Sequence, residues 1–363
     1  MSARVLHVVT NFAGPGGAEK MLGKLIDATP GQPTDLVSLM TIPPLGRALV
    51  TRDDVPMTAL GARGPIGLVR AARALAGIIR ERRPVAVMAW MYHANVVASL
   101  ARRWSGHGTR LLWNIRHSLD DIASEKASTR AAIRMGRALS GSPDAIVYAA
   151  RRAMEQHEAY GFVRGKGIAL PNGYALPSAP RPLPEVPRIF GTVARWHVAK
   201  DYPTMLAAFA RIAAKDETAR FRLAGLDMNP GNAELGAALD ASGLPRDRCE
   251  LIGSVSDIGA FYRSLDVFCL SSISEGFPNV LAEAMSHGVP CASTDAGDAS
   301  LIVGKTGEIV PVRDAGALAA ALHRVAAPED YPVRAAAARR RIEENFSMEA
   351  VARRYMDVLR PAR

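Results

Sequence analysis

Residues 174–188 read YALPSAPRPLPEVPR, a run with five prolines and little that could pack. Proline fixes φ and donates no backbone hydrogen bond, so this density disfavours helix and central strand alike and reads as a linker. On both sides of it, short apolar, β-branched runs alternate with helical patterns. Before it, strands are expected at 4–9, 35–40, 85–90, 110–115 and 144–148, separated by helices such as 18–28, 68–82 and 94–104. After it, strands are expected at 188–193, 220–224, 249–252, 266–271 and 289–293, again with helices between them. Such alternation predicts parallel, doubly wound sheets. The fold class is therefore α/β, with Rossmann-like domains at 1–175 and 189–345 joined by a linker at 176–188. At 363 residues each domain can bury its own core. Ligands are expected beyond the carboxyl ends of the strands, in a cleft between the domains.

Composition narrows the classes. Hydrophobic content of 48% with 22% charged residues is ordinary for a globular protein. Cys249, Cys269 and Cys291 show no metal-ligand spacing and no disulfide framework, so a reducing cytoplasm is expected. The opening MSARVLHVVTNF is too short in apolar residues for a signal peptide, and VMAWMYHANVVASLA is broken by His93 and Asn95, so no membrane crossing is expected. Charge is unevenly spread. Residues 1–175 hold 23 Lys and Arg against 12 Asp and Glu, whereas residues 176–363 hold 22 against 23. The first half is thus the one suited to an anionic partner, although a solvated basic face is the plainer reading.

Two phosphate-loop patterns fail on inspection. NFAGPGGAEKMLGKLI opens a helix straight after the first strand, where backbone N–H groups can cradle a phosphate. Gly14, Pro15 and Gly16 fit half of the dinucleotide fingerprint, but the third glycine position is Glu19. Gly304-Lys305-Thr306 lacks the upstream glycine of a triphosphate loop, because that position is Ala299. In the second half, Arg195 and Lys200 follow the strand at 188–193 and precede a helix beginning near Asp201, a pair of cations suited to a diphosphate.

The stretch SEGFPNVLAEAMSHG, 274–288, brackets an apolar run with Glu275 and Glu283. Pro278 suits a first helical position, and Gly288 before Pro290 suits a left-handed stop about ten residues on. Leu281, Ala284 and Met285 form the inward stripe. Glu275 then lies before the helix and Glu283 within it, so the two are not a mutual acid/base pair.

This stretch, continued as VPCASTDAGD, resembles the donor-binding signature of family-4-type retaining glycosyltransferases of the GT-B fold, also called group 1. Further matches run in order along the chain: GPGGAE at 14–19, WMYHAN at 90–95, NIRHS at 114–118, PNG at 171–173, VARWHVAKD at 193–201 and SDIGAFYRSLDVFCLSS at 256–272. The resemblance implies two Rossmann-like domains facing across a cleft, with a C-terminal helix (346–363) crossing back to the first domain. It implies that a nucleoside-diphosphate sugar, expected as a UDP-sugar, is bound mainly by the second domain. Arg195 and Lys200 would neutralise the diphosphate, and Gly16 and Gly17 would close over it. Glu275 would hold donor hydroxyls together with Gly276, Phe277, Pro278 and Asn279. Glu283 would take the ribose, and His117 would stand near the reacting sugar. His93 reads instead as a satisfied interior histidine. After PNG the family commonly has an apolar residue and then Asp, and here Tyr174 and Ala175 follow.

No D-x-D triplet occurs, so a metal held in that way is not indicated, and no cofactor beyond the donor substrate is expected. The resemblance further implies same-face attack, a donor phosphate oxygen taking the acceptor's proton. The acceptor, a saccharide or lipid-linked saccharide, would bind the basic first domain. There ARGPIGLVRAARALAGIIRERR places Arg63, Arg70, Arg73, Arg80, Arg82 and Arg83 around Leu68, Leu75 and Ile79. Such a helix can rest on the anionic inner face of a membrane or cover a sheet with its arginines in water. The rival readings are a sugar-nucleotide epimerase or phosphorylase on the same fold, and a basic nucleic-acid-binding protein. The last lacks a recognition motif and has only 6% aromatic residues to stack on bases, so nucleic acid is not an expected partner.

Overall fold

The computed structural model describes residues 4–360 apart from 15, 121 and 124, so Pro15 of the glycine turn and the last three residues lie outside it. Two compact units result. One runs up to Gly173 and takes in the segment from Met348, and the other is Tyr174–Ser347.

In the first unit β1 (Val5–Val9), β2 (Thr34–Ser38), β3 (Met57–Ala59), β4 (Ala86–Trp90), β5 (Arg110–Ile115), β6 (Ala145–Tyr148) and β7 (Gly167–Ala169) form a parallel sheet in the order β3-β2-β1-β4-β5-β6-β7. Runs such as VLHVV and AVMAW are buried along their whole length, as expected for strands covered by helices on both faces. Short strands β3 and β7 extend the sheet beyond the sequence expectation. Helix Met348–Leu359 buries Val351, Ala352, Tyr355 and Leu359 against Val5, Leu25 and Trp90 of the same unit. The Tyr355 ring stacks on Trp90, and its hydroxyl accepts from Asn114 Nδ2 at 3.0 Å and Arg116 Nη1 at 2.8 Å.

The arginine-rich helix is Gly64–Arg82. It turns Ala71, Ala72, Leu75, Ala76 and Ile79 inward, so its apolar stripe covers the sheet, while Arg70, Arg73 and Arg80 are exposed. Arg82 is drawn to the fully buried Asp35 of β2 at 2.8 Å, where Arg4 also pairs. Ile66 and Val69 are left in solvent at its first turns.

The second unit holds β8 (Ile189–Val193), β9 (Arg220–Ala224), β10 (Cys249–Gly253), β11 (Val267–Leu270), β12 (Cys291–Thr294) and β13 (Glu308–Val310), all parallel, in the order β10-β9-β8-β11-β12-β13. The proline-rich segment is part of this unit. Arg181 is buried there between the Tyr331 hydroxyl and Asp266, and Asp266 Oδ2 accepts from the backbone of Arg188 and Ile189. Arg339 Nη2 also donates to the Pro177 carbonyl at 2.6 Å, so two arginines fasten this segment to the rest of its unit. Among the described residues no helix is long and apolar enough to cross a membrane.

Candidate functional site

Strand order reverses beside β8, whose successors β9 and β10 lie on one side and β11 to β13 on the other. The crevice beyond the carboxyl ends at such a switch point is where open α/β sheets bind ligands. Arg195 and Lys200 follow β8, and Glu275 follows β11, so the sequence candidates converge on that crevice.

After β8 the chain makes a short 3-10 turn, Val198–Lys200, and then passes through Asp201 at φ 47° into helix Tyr202–Ala213. This left-handed step is unusual for a residue with a Cβ, and Asp201 stabilises it by accepting from Thr204 Oγ1 at 2.7 Å. The turn is fastened to the end of β11, where Ser271 Oγ donates to the Lys200 carbonyl at 2.6 Å and Ile273 N donates to the Ala199 carbonyl at 2.9 Å. Held from both sides, Lys200 Nζ donates to Glu275 Oε1 at 2.5 Å. Ser272 Oγ, fully buried, donates to the same oxygen at 2.7 Å. Arg195 is exposed and makes no hydrogen bond or ion pair among the described residues.

Helix Asn279–Ser286 starts without a side-chain cap, Pro278 being its N-cap rather than its first residue, and spans eight residues. In its first turn Leu281 N donates to the Pro278 carbonyl at 3.1 Å. Gly288, at φ 71°, ends the helix as the left-handed stop. Asn279 Oδ1 accepts from the Tyr174 hydroxyl at 2.5 Å, and the Tyr174 ring stacks on Phe277. Glu283 Oε2 accepts from the Tyr262 hydroxyl at 2.8 Å.

Gly297 supports this loop from below. At φ 60° its Cα approaches so closely that a Cβ would lie 2.4 Å from the Gly276 carbonyl oxygen and 2.5 Å from that of Glu275. Ser272, Gly297, Tyr262 and Tyr174 are absent from the sequence candidates. Their contacts come from tertiary packing, and only the DAG-D spacing around Gly297 hints at a tight loop.

In the first unit, helix Gly17–Asp27 begins at Gly16 with no side-chain cap. The Glu19 carboxylate folds back over Gly16, so that a Cβ there would strike it, while the space at Gly17 is open. His117 follows β5. Its Nε2 lies 3.0 Å from Glu125 Oε1, and its Nδ1 lies 3.3 Å from the Tyr92 hydroxyl. His93 is half-buried in helix Tyr92–Ser105, and burial pushes its pKa down, as expected of an interior histidine.

Comparison with known proteins follows this geometry. The sequence profile described as "Glycosyl transferase 4-like domain" matches residues 16–173, and that described as "Glycosyl transferases group 1" matches residues 187–327. The chain belongs to the group 1, family-4-type glycosyltransferases. Among curated relatives of this family, the putative glycosyltransferase EpsF of Bacillus subtilis (strain 168) is 31% identical over 147 residues. That match covers 39% of this chain and 38% of EpsF, so it spans well under two thirds of the relative. Among solved structures, the lipopolysaccharide outer core galactosyltransferase WaaB in its apo form is similar with a TM-score of 0.73 at 17% identity, covering 98% of this chain and 99% of that one. Anabaena HepE in complex with UDP gives a TM-score of 0.72 at 16% identity, with 98% and 99% covered. These structural likenesses establish the GT-B architecture of two parallel-sheet, Rossmann-like domains.

Proposed function

We propose that this glycosyltransferase moves a sugar, with retention of anomeric configuration and without a metal, from a UDP-sugar to a saccharide or lipid-linked saccharide in the assembly of bacterial surface polysaccharide or glycolipid. The observation that carries the reading is the Lys200–Glu275 pair at the switch point of the second sheet, beside an uncapped helix start. The UDP bound to HepE and the lipopolysaccharide outer core in the name of WaaB support this reading of donor and pathway.

Cleaving the bond from the anomeric carbon to phosphate develops negative charge on the diphosphate and positive charge on the sugar. Lys200 and the solvent-facing Arg195 neutralise the first, each well-placed donor contributing a few kcal/mol in the transition state. Gly16 and Gly17, at the start of their helix, contribute backbone N–H groups to phosphate binding. Glu275 accepts from donor hydroxyls, with Gly276, Phe277, Pro278 and Asn279 shaping that wall, and Glu283 takes the ribose. His117 meets the reacting sugar. No cofactor is needed beyond the donor. The enzyme works in the cytoplasm, with the exposed arginines of helix Gly64–Arg82 resting on the anionic inner membrane surface, and nucleic acid is not a partner.

Thermal shift against a panel of sugar nucleotides tests the donor site, because a ligand raises stability by mass action. A UDP-sugar is expected to raise the unfolding midpoint, and the proton NMR coupling of the product's anomeric carbon to match that of the donor. No shift with any sugar nucleotide, or an inverted product, overturns the corresponding clause.

A further inference from the structure

The Glu283 carboxylate is held by a residue from a different helix. Asn279 and Glu283 are four positions apart in helix Asn279–Ser286 and share a face, Asn279 exposed and Glu283 half-buried, while Leu281, Ala282, Ala284 and Met285 are buried. The Glu283 carbonyl accepts from Ser286 Oγ at 2.7 Å and from His287 Nδ1 at 2.9 Å, which fixes its backbone. Its side chain is fixed by Tyr262, whose hydroxyl donates to Oε2 at 2.8 Å. Among the described residues Oε1 has no hydrogen-bond partner. Tyr262 lies in helix Ile258–Arg263, which is capped where Asp257 Oδ1 accepts from Ala260 N at 2.9 Å. It is wholly buried, its ring set 5.8 Å from that of Phe268 and 5.5 Å from that of His287.

A free glutamate side chain samples many rotamers, and a ligand that must order it binds more weakly. Here folding does the ordering, because the Tyr262 ring is wedged in the core and its hydroxyl is its sole polar side-chain atom. Burial pushes the Tyr262 pKa up, so that hydroxyl stays protonated and remains a donor. A neutral phenol aims the carboxylate without cancelling its charge, which leaves the carboxylate a strong acceptor for hydroxyl groups. We infer that Tyr262 is a positioning residue that turns Glu283 Oε1 towards the vicinal hydroxyls of a ribose and so sets a preference for ribonucleotide over deoxynucleotide donors. This aim rests on the reading that Glu283 takes the ribose.

Titration calorimetry on the full chain with UDP and with 2′,3′-dideoxy-UDP tests it. Wild type should bind UDP about 10- to 100-fold more tightly than the dideoxy analogue, the range for hydrogen bonds to a charged group. Tyr262→Phe keeps the buried ring and removes one oxygen. It should weaken UDP by roughly threefold to tenfold, the effect of leaving one side chain for the ligand to order, and leave the dideoxy analogue unchanged. Glu283→Ala, at a half-exposed position, should erase the preference, and adding Tyr262→Phe to it should cost UDP nothing more, since both act through one carboxylate. Equal weakening of both nucleotides in Tyr262→Phe marks a merely structural role and overturns the inference, as does an undiminished preference in that variant or further loss of UDP in the double variant. A ribose preference that survives Glu283→Ala, or a wild type that binds neither nucleotide, overturns instead the reading that Glu283 takes the ribose, and the inference with it.

Discussion

Lys200 and Glu275, 75 residues apart in sequence, share one hydrogen bond of 2.5 Å, and Ser272 donates to the same carboxylate oxygen. The cation proposed for a diphosphate and the carboxylate proposed for sugar hydroxyls thus hold each other in place. Lys200→Ala and Glu275→Ala should each lower kcat/KM by about 100-fold or more, the loss typical of removing one well-placed charge-stabilising group. Both proteins should remain folded by circular dichroism, since the pair is partly solvated. Full activity in either variant removes that residue from the site.

Gly297→Ala tests the loop without touching its charges. The added methyl would press on the carbonyls of Glu275 and Gly276 and would also stand at a positive φ. The donor KM should rise about tenfold, with a stability loss of about 1–2 kcal/mol read by denaturant titration. An unchanged donor KM would show that the loop accommodates the shift elsewhere.

Acid should destabilise the first unit through His7. It is buried in β1, accepts from Trp90 Nε1 at 3.2 Å, and burial lowers its pKa from 6.5 to about 3. Between those values the unfolded chain binds the proton and the folded one does not, so stability falls as pH falls from about 6.5 towards 3. His7→Gln keeps an acceptor for Trp90 and does not titrate. Its unfolding midpoint should depend less steeply on pH across that window, and an identical slope would assign the acid sensitivity to other groups.

Much of the architecture is legible in the sequence, because a strand buried on both faces must be a continuous apolar run. Strands β5 and β9 fall on the expected residues 110–115 and 220–224. Strands β3 and β7 do not show, since Met57–Ala59 and Gly167–Ala169 are three-residue edge strands with incomplete burial and no apolar run to mark them. Helix Asn279–Ser286 ends at the expected glycine but begins one residue later, because Pro278 serves as the cap. At the site, Lys200 and Glu275 are legible from motif residues that carry their chemistry openly. Ser272 and Gly297 are not, because their importance lies in tertiary contacts with the Glu275 loop that no local pattern encodes.

Membrane association through helix Gly64–Arg82 is expected to be mainly electrostatic, because Leu75 and Ile79 face the core and its exposed face carries Arg70, Arg73 and Arg80 beside Ile66 and Val69. Flotation with anionic vesicles should succeed at low salt, fail at high salt where charges are screened, and fail with Arg70, Arg73 and Arg80 all changed to Glu. No binding at low salt would leave the arginines as a solvated helix face.

Acceptor-dependent release of nucleoside diphosphate, followed across UDP-, GDP- and other nucleotide sugars with saccharide acceptors, tests the proposed transfer most directly. Release is expected with a UDP-sugar, to rise on adding acceptor, to persist in a metal chelator, and to vanish in Lys200→Ala. Nucleoside diphosphate released at the same rate with and without acceptor, or a sugar nucleotide epimerised with no release at all, would contradict glycosyl transfer.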